Sequence, residues 1–163
     1  MTDATLRAAT NADAEVVRDL VFSVLREYGL KSDPDGTDSD LRDLEASYHA
    51  RGGAFDVLVD GSAEIIGSVG LLRVDGVTCE LRKMYLLPRA RGRGLGKRLL
   101  DHALARARDL GYRRVVLETA TALKEAIALY ERRGFRRYHP AHLSNRCDAA
   151  YALDLPPRTD PGR

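Results

Sequence analysis

The chain has 163 residues, of which 44% are hydrophobic and 31% charged, with a formal net charge of +2. That is the profile of an ordinary globular domain, and so small a charge gives no ground for nucleic-acid binding. No apolar run is long enough to span a membrane. The N-terminus lacks the basic-then-apolar order of a secretory leader. Two cysteines, Cys79 and Cys147, are too few for a disulfide framework and point to a reducing cytoplasm.

The chain reads as one domain over residues 1–155 with a flexible tail over 156–163. Ala4–Ala9 forms a short strand. Thr10 with Asp13 three residues on is a capping-box start. Val17, Leu20, Val21, Val24, Leu25 and Tyr28 then recur at helical spacing up to Gly29. A turn-rich loop follows, with an acidic run of Asp33, Asp35, Asp38, Asp40, Asp43 and Glu45. A second helix is expected from about Asp38 to Tyr48, ending at Gly52-Gly53. The period then becomes that of strands: Phe55–Val59, Glu64–Val74 and Val77–Leu87, joined at Asp60-Gly61 and Asp75-Gly76, form an antiparallel meander. Leu95, Leu99, Ala103, Ala107 and Leu110 stripe the next helix, which stops at Gly111. Arg113–Leu117 returns as a strand parallel to the third meander strand. Leu123, Ala126, Ile127 and Tyr130 mark a last helix, and Phe135–Tyr138 and Ala149–Leu155 the last strands. The class is α+β: a central mixed, mostly antiparallel sheet flanked by helices.

The most informative stretch is Arg89-Ala-Arg-Gly-Arg-Gly-Leu-Gly-Lys-Arg98, a basic, glycine-rich turn between a strand and a helix. Unpaired N–H groups at a helix start favour anions, and glycines let a ligand approach the backbone, so the stretch predicts a phosphate cradle. It is not a P-loop, because Gly96-Lys97 is followed by Arg98 where that loop needs a hydroxyl. It is not a dinucleotide fingerprint, because the spacing is Gly92-x-Gly94-x-Gly96 and an antiparallel meander precedes it.

Arg91-Gly-Arg-Gly94-Leu-Gly96 does fit [QR]-x-x-G-x-[GA], the acyl-CoA pyrophosphate motif of the GNAT N-acetyltransferase superfamily. Ala126-Ile-Ala-Leu-Tyr130-Glu-Arg-Arg-Gly134-Phe135 resembles that family's A-x-x-L-Y-x-x-x-G-F segment, and the order of elements over residues 4–155 is similar to the family's. The resemblance implies the GNAT acyl-CoA N-acyltransferase fold and transfer of acetyl from acetyl-CoA to an amine. It puts pantetheine against Met84, Tyr85 and Leu86, in a gap between two splayed strands. The pyrophosphate lies on the backbone of Arg91, Gly92, Arg93, Gly94, Leu95, Gly96 and Lys97, with Arg89 and Arg98 adding charge.

An alkylammonium titrates near ~10.4, so freeing its lone pair at pH 7 costs about 4–5 kcal/mol and the reaction needs a base. The resemblance implies that Glu80, eleven residues before Arg91, is that base, directly or through a water. The competing reading pairs Glu80 with Arg82. Tyr130 matches the general acid that protonates the CoA thiolate; its competing reading is a core tyrosine. A backbone N–H near Met84 or Tyr85 stabilises the thioester oxygen. Many members carry Asn where this chain has Leu123, so an apolar contact to the pantetheine arm replaces a polar one. Tyr28, Arg82, Glu118 and Arg146 are candidates to face the acceptor, the arginines suiting a carboxylate. His49, His102, His139 and His142 show no metal-ligand spacing, and no metal is expected.

These features favour a small amino-acid-like acceptor. A protein or peptide amine is the first alternative, and a non-catalytic module that senses acyl-CoA or contacts nucleic acid is the second. No membrane or nucleic-acid partner is expected, and a homodimer stays open.

Overall fold

The computed structural model describes residues 4–157; the end of the expected tail lies outside them. Seven strands form one sheet in the order β1-β2-β3-β4-β5-β7-β6. They are β1 Thr5–Ala8, β2 Ala54–Val59, β3 Ile65–Arg73, β4 Thr78–Leu86, β5 Arg114–Thr119, β6 Arg136–Tyr138 and β7 Ala149–Asp154. Every neighbouring pair is antiparallel except β4 and β5, as the meander and the helical crossover require.

Helices cover both faces. On one, α1 (Ala14–Glu27) and the short α2 (Leu44–Ser47) bury Val17, Val21, Leu25 and Leu44 against Phe55 and Val57. On the other, α3 (Leu95–Asp109) and α4 (Lys124–Arg132) bury Leu99, Leu100, Ala103 and Tyr130 against Leu81, Val115 and Leu117. Thr10 and Asp13 form the expected capping box, with the Thr10 N–H donating to Asp13 at 2.9 Å; they start a 3₁₀ turn, and α1 follows from Ala14. Leu110 falls just past α3 and is exposed, so the apolar stripe ends at Ala107.

The second helix is shorter than its pattern suggested. Residues 39–42 form a 3₁₀ turn, Asp43 takes extended backbone angles, and only Leu44–Ser47 is α-helical. The acidic side chains are the reason. Asp43 accepts from the Ala46 N–H as a cap, and Asp40 turns inward to accept from the Tyr48 hydroxyl. A continuous helix would break both contacts.

Two features of β4 shape everything that follows. Ser68 of β3 pairs with Tyr85, whereas Gly70 pairs with Arg82, so β4 carries one extra residue between them. Lys83 sits at this bulge with φ +56°, a left-handed conformation that costs a lysine about 1–3 kcal/mol. The Ser68 hydroxyl pins the bulge by donating to the Lys83 carbonyl at 2.7 Å. Arg82 and Lys83 consequently reach the same segment, both extending to the Thr37 carbonyl. In addition, β4 pairs with β5 only at Thr78, Cys79 and Glu80. Beyond Glu80, β4 continues along β3 and β5 along β7, so the two diverge and a gap opens in mid-sheet.

The bulge is held by buried charge. The Lys83 ammonium lies 3.1 Å from Asp38 and 3.3 Å from Asp40. Asp38 also accepts both terminal nitrogens of Arg146, at 2.6 and 2.7 Å. Burial alone would raise the Asp38 carboxyl, but the Arg146 hydrogen bonds, the Asp33 N–H and Lys83 together hold it at about 2. This network ties β4, the α1–α2 loop and the β6–β7 loop at one point. Replacing Lys83 with methionine keeps the stem but leaves Asp38 and Asp40 without their ammonium. The expected loss is about 3–5 kcal/mol of unfolding free energy, read as a lower urea midpoint at pH 7.

Candidate active site

The gap between β4 and β5 opens into a cleft of about 180 Å³ that crosses the sheet. Glu80, Arg82, Met84, Tyr85 and Leu86 line it from β4. Glu118 lines it from β5, and Leu123, Ala126, Leu129 and Tyr130 from α4 and its approach. Tyr28 stands on the α1 side, Arg91 and Gly96 stand toward the glycine-rich turn, and Ser144, Arg146 and Cys147 complete the wall. The sequence candidates on β4, β5 and α4 thus meet in one cavity.

At one end the chain turns through Gly92 and Gly94, both left-handed with φ +77° and +75°, which glycine adopts without strain. Gly94 is the N-cap of α3, so the first-turn N–H groups of Leu95, Gly96 and Lys97 point out of the helix start, with no acidic residue in that turn. Gly96 serves a different purpose: a Cβ there would lie 3.1 Å from Leu129, so glycine lets α4 approach α3 beside the cleft.

The arginines of this stretch divide. The Arg91 guanidinium is held by Glu27, donates to the Leu86 carbonyl at 3.0 Å, and lies 5.5 Å above the Tyr28 ring. Its N–H is bonded to the Pro88 carbonyl. Arg91 therefore braces the strand-to-turn junction. Arg89 pairs with Asp60 and Glu64, and Arg98 donates to the Ala4 carbonyl. The reason is shared: acidic groups and a carbonyl from neighbouring elements reach these side chains first.

Glu80 is half-buried, with Arg82 Nε 3.2 Å from its Oε1. The ion pair of the competing reading thus exists. Even so, burial raises the Glu80 carboxyl above its ordinary value; Arg82 pulls it down, Glu118 opposite pushes it up, and the balance stays upward. A carboxylate so placed is a stronger base than a solvated one.

Tyr130 is 5% exposed, with ring centroids 5.7 Å from Phe135 and 6.5 Å from Tyr151. It is a packed tyrosine and also part of the cleft wall. Burial pushes its phenol well up, with Tyr85 adding to the effect. Tyr85, on the same wall, is raised by burial to about 12.

Glu118 accepts from the Ser144 N–H at 2.9 Å, which anchors the β6–β7 loop. Leu123 is the N-cap of α4 and lines the cleft with an apolar side chain. Cys147 also lines it; burial raises its thiol, which disfavours the thiolate. Cys79 is buried and raised by burial to about 12. His102 pairs with Asp56 away from the cleft, and His139 and His142 are outside its lining. Among the described residues no cluster of three or more His, Cys, Asp or Glu is arranged for a metal ion, and no helix is long and apolar enough to cross a membrane.

Sequence reading missed Lys83, Asp38 and Asp40. The signal for Lys83 was present: Cys79 and Leu81 share one face, and the next residues of that core are Met84 and Leu86, a step of three where a regular strand allows two.

Comparison with known proteins agrees with this architecture. The chain is 41% identical over 135 residues, 80% of each chain, to a protein of Escherichia coli K12 named uncharacterized N-acetyltransferase YjgM. Its fold superposes on a GNAT-family acetyltransferase of Staphylococcus aureus Mu50 with a TM-score of 0.88 at 24% identity, covering 94% of this chain and 100% of that one. It superposes on a Sinorhizobium meliloti phosphinothricin acetyltransferase, solved in complex with AcCoA, with a TM-score of 0.74 at 24% identity, covering 93% and 88%. Residues 18–135 match the acetyltransferase (GNAT) family, and with that match the chain belongs to this family of N-acetyltransferases.

Proposed function

We propose that the protein transfers acetyl from acetyl-CoA to a small primary amine by direct attack, with Glu80 as general base and Tyr130 as general acid. The observation that carries this reading is the convergence of those two side chains on one cleft, which runs from the divergence of β4 and β5 to the start of α3. The helix start supplies unpaired N–H groups for the pyrophosphate. Pantetheine lies along Met84, Tyr85 and Leu86, beside the apolar Leu123. Its thioester then sits near the bulge, where a β4 N–H from Met84 or Tyr85 stabilises the developing oxyanion.

The acceptor enters on the Glu80 side. Its ammonium gives a proton to Glu80, directly or through a water, and the freed nitrogen attacks the thioester carbon. The C–S bond breaks and Tyr130 gives its proton to the departing sulfur; the attached nitrogen sheds its second proton to re-form the phenol, and Glu80 passes the first one to solvent, so that one proton is released per turnover. Burial raises the phenol, so it holds its proton until the departing sulfur has acquired charge beside it. The Asp38–Arg146 contact ties the α1–α2 loop to the β6–β7 loop beside the cleft, and an acceptor side bounded by both loops suits a small acceptor better than a polypeptide.

The test is a thiol-release assay with acetyl-CoA across amino acids, polyamines, aminoglycosides and peptides. CoA release that depends on a primary amine is the expected result. Tight acetyl-CoA binding with no release for any amine would point to a sensing module and overturn the reading.

A further inference from the structure

We infer that Arg82 binds the acceptor's carboxylate, so that the acceptor is a free α-amino acid. This deepens the acetyl-transfer reading and rests on it.

The argument starts from register. Glu80 and Arg82 are two residues apart on β4, before the bulge, so they share a face, and Arg82 Nε lies 3.2 Å from Glu80 Oε1. Base and guanidinium are in contact. A molecule whose nitrogen lies at Glu80 has only a one-carbon step to reach Arg82, and in an α-amino acid that step ends in a carboxylate. Arg82 is also fixed. Its Nη2 donates to the Thr37 carbonyl at 2.8 Å and its Nε is held by Glu80, whereas its Nη1 makes no hydrogen bond among the described residues. Arg82 lines the cleft with side-chain exposure of only 20%. A largely buried guanidinium with unspent donors is matched best by an oxyanion.

The other cations nearby are already committed. Arg146 gives both terminal nitrogens to Asp38, and Lys83 lies between Asp38 and Asp40. With those charges balanced against one another, the charged groups that β4 and β5 bring to the cleft are the Glu80 and Glu118 carboxylates and the Arg82 guanidinium, while Glu125 lines it from α4. A zwitterion satisfies both signs. A polyamine would set a second ammonium against Arg82, and a free carboxylic acid would face Glu80 and Glu118. A peptide N-terminus lacks the adjacent carboxylate.

The experiment compares kcat/KM for L-alanine, L-leucine, L-phenylalanine and L-glutamate with their α-amides and their decarboxylated amines, at fixed acetyl-CoA. The acids are expected to exceed the amides and the amines by about 10–100-fold. In Arg82→Gln that ratio should fall to near one, through a rise in KM for the acids. Arg82→Lys, which keeps the charge but not the fork, should recover part of the preference and shows that loss in the first variant is not misfolding. Amides or amines used as well as the acids, or an unchanged ratio in Arg82→Gln, overturn the inference. Release with polyamines or peptides but no amino acid removes the carboxylate site and leaves acetyl transfer standing. Release with no amine at all removes acetyl transfer and this inference together.

Discussion

Glu80→Gln is expected to lower kcat by about 10²–10³-fold with acetyl-CoA binding intact, within the range that removal of a positioned general base produces. The exchange preserves shape and the possibility of a contact with Arg82, so the loss isolates proton transfer. The sign of the pKa shift makes the result separable from unfolding. A carboxyl raised in the folded state favours its protonated form there, so its ionisation weighs against folding once the pH exceeds its unfolded value. Glutamine removes that ionisation. The variant is therefore expected to be as stable as the parent at pH 7, or more so, while its turnover collapses. The same shift predicts a pH profile. In the parent, kcat/KM should rise through a carboxyl titration displaced above the ordinary glutamate range, by burial first and by Glu118 second. In Glu80→Gln that limb should vanish, leaving only the gradual rise as the free amine becomes available. A retained limb would move the base to another group, with Glu118, which faces Glu80 across the cleft, first in line.

The elements were legible in the sequence where one physical signal dominated. The three meander strands carry short apolar runs joined at Asp-Gly turns, with clear alternation in β4, and α1 and α3 carry apolar stripes bounded by a capping box, the glycine-rich turn or a stop glycine; all of them formed. The α1–α2 connection was not legible. Its leucines keep helical spacing, but Asp40 and Asp43 spend their carboxylates on Tyr48 and on the α2 cap, and no pattern of single residues announces a contact eight positions away. The glycine-rich turn was legible as a backbone device, because left-handed φ at Gly92 and Gly94 follows from residue type. The partners its arginines take were not, because a charged side chain pairs with what is near in space: Glu27 for Arg91 lies 64 positions away.

The bulge at Lys83 is the most consequential feature that the linear pattern concealed. It brings two adjacent cations to one segment, and β4 continues beyond it with Met84 and Leu86 against the α3 core and Tyr85 against the α1 core. Without the extra residue, Tyr85 would face the other core and Met84 would face the acceptor side. A left-handed lysine persists only because Ser68, Asp38 and Asp40 over-determine it. The stability lost in Lys83→Met and the geometry of the candidate active site therefore have one origin.

Tyr130→Phe is expected to reduce kcat by about 10²-fold while the KM for acetyl-CoA changes little. Only the hydroxyl is removed, and the ring keeps its contacts with Phe135 and Tyr151, so cavity terms do not arise. The upward shift of the phenol decides the form of the result. A phenol raised by burial stays protonated across the working range, so its role is to donate, and no loss of activity from its ionisation should appear near neutral pH. Its proton moves to sulfur only when the sulfur has acquired charge. The defect should therefore depend on the leaving group: an acyl donor whose thiol is a stronger acid needs protonation less, and the variant should recover part of its rate with it. A packing tyrosine gives no such recovery, because a distorted cleft slows good and poor leaving groups alike. If Tyr130→Phe keeps full turnover with acetyl-CoA, the sulfur is protonated by another group, and Tyr85, whose phenol lines the same wall, becomes the residue to exchange next.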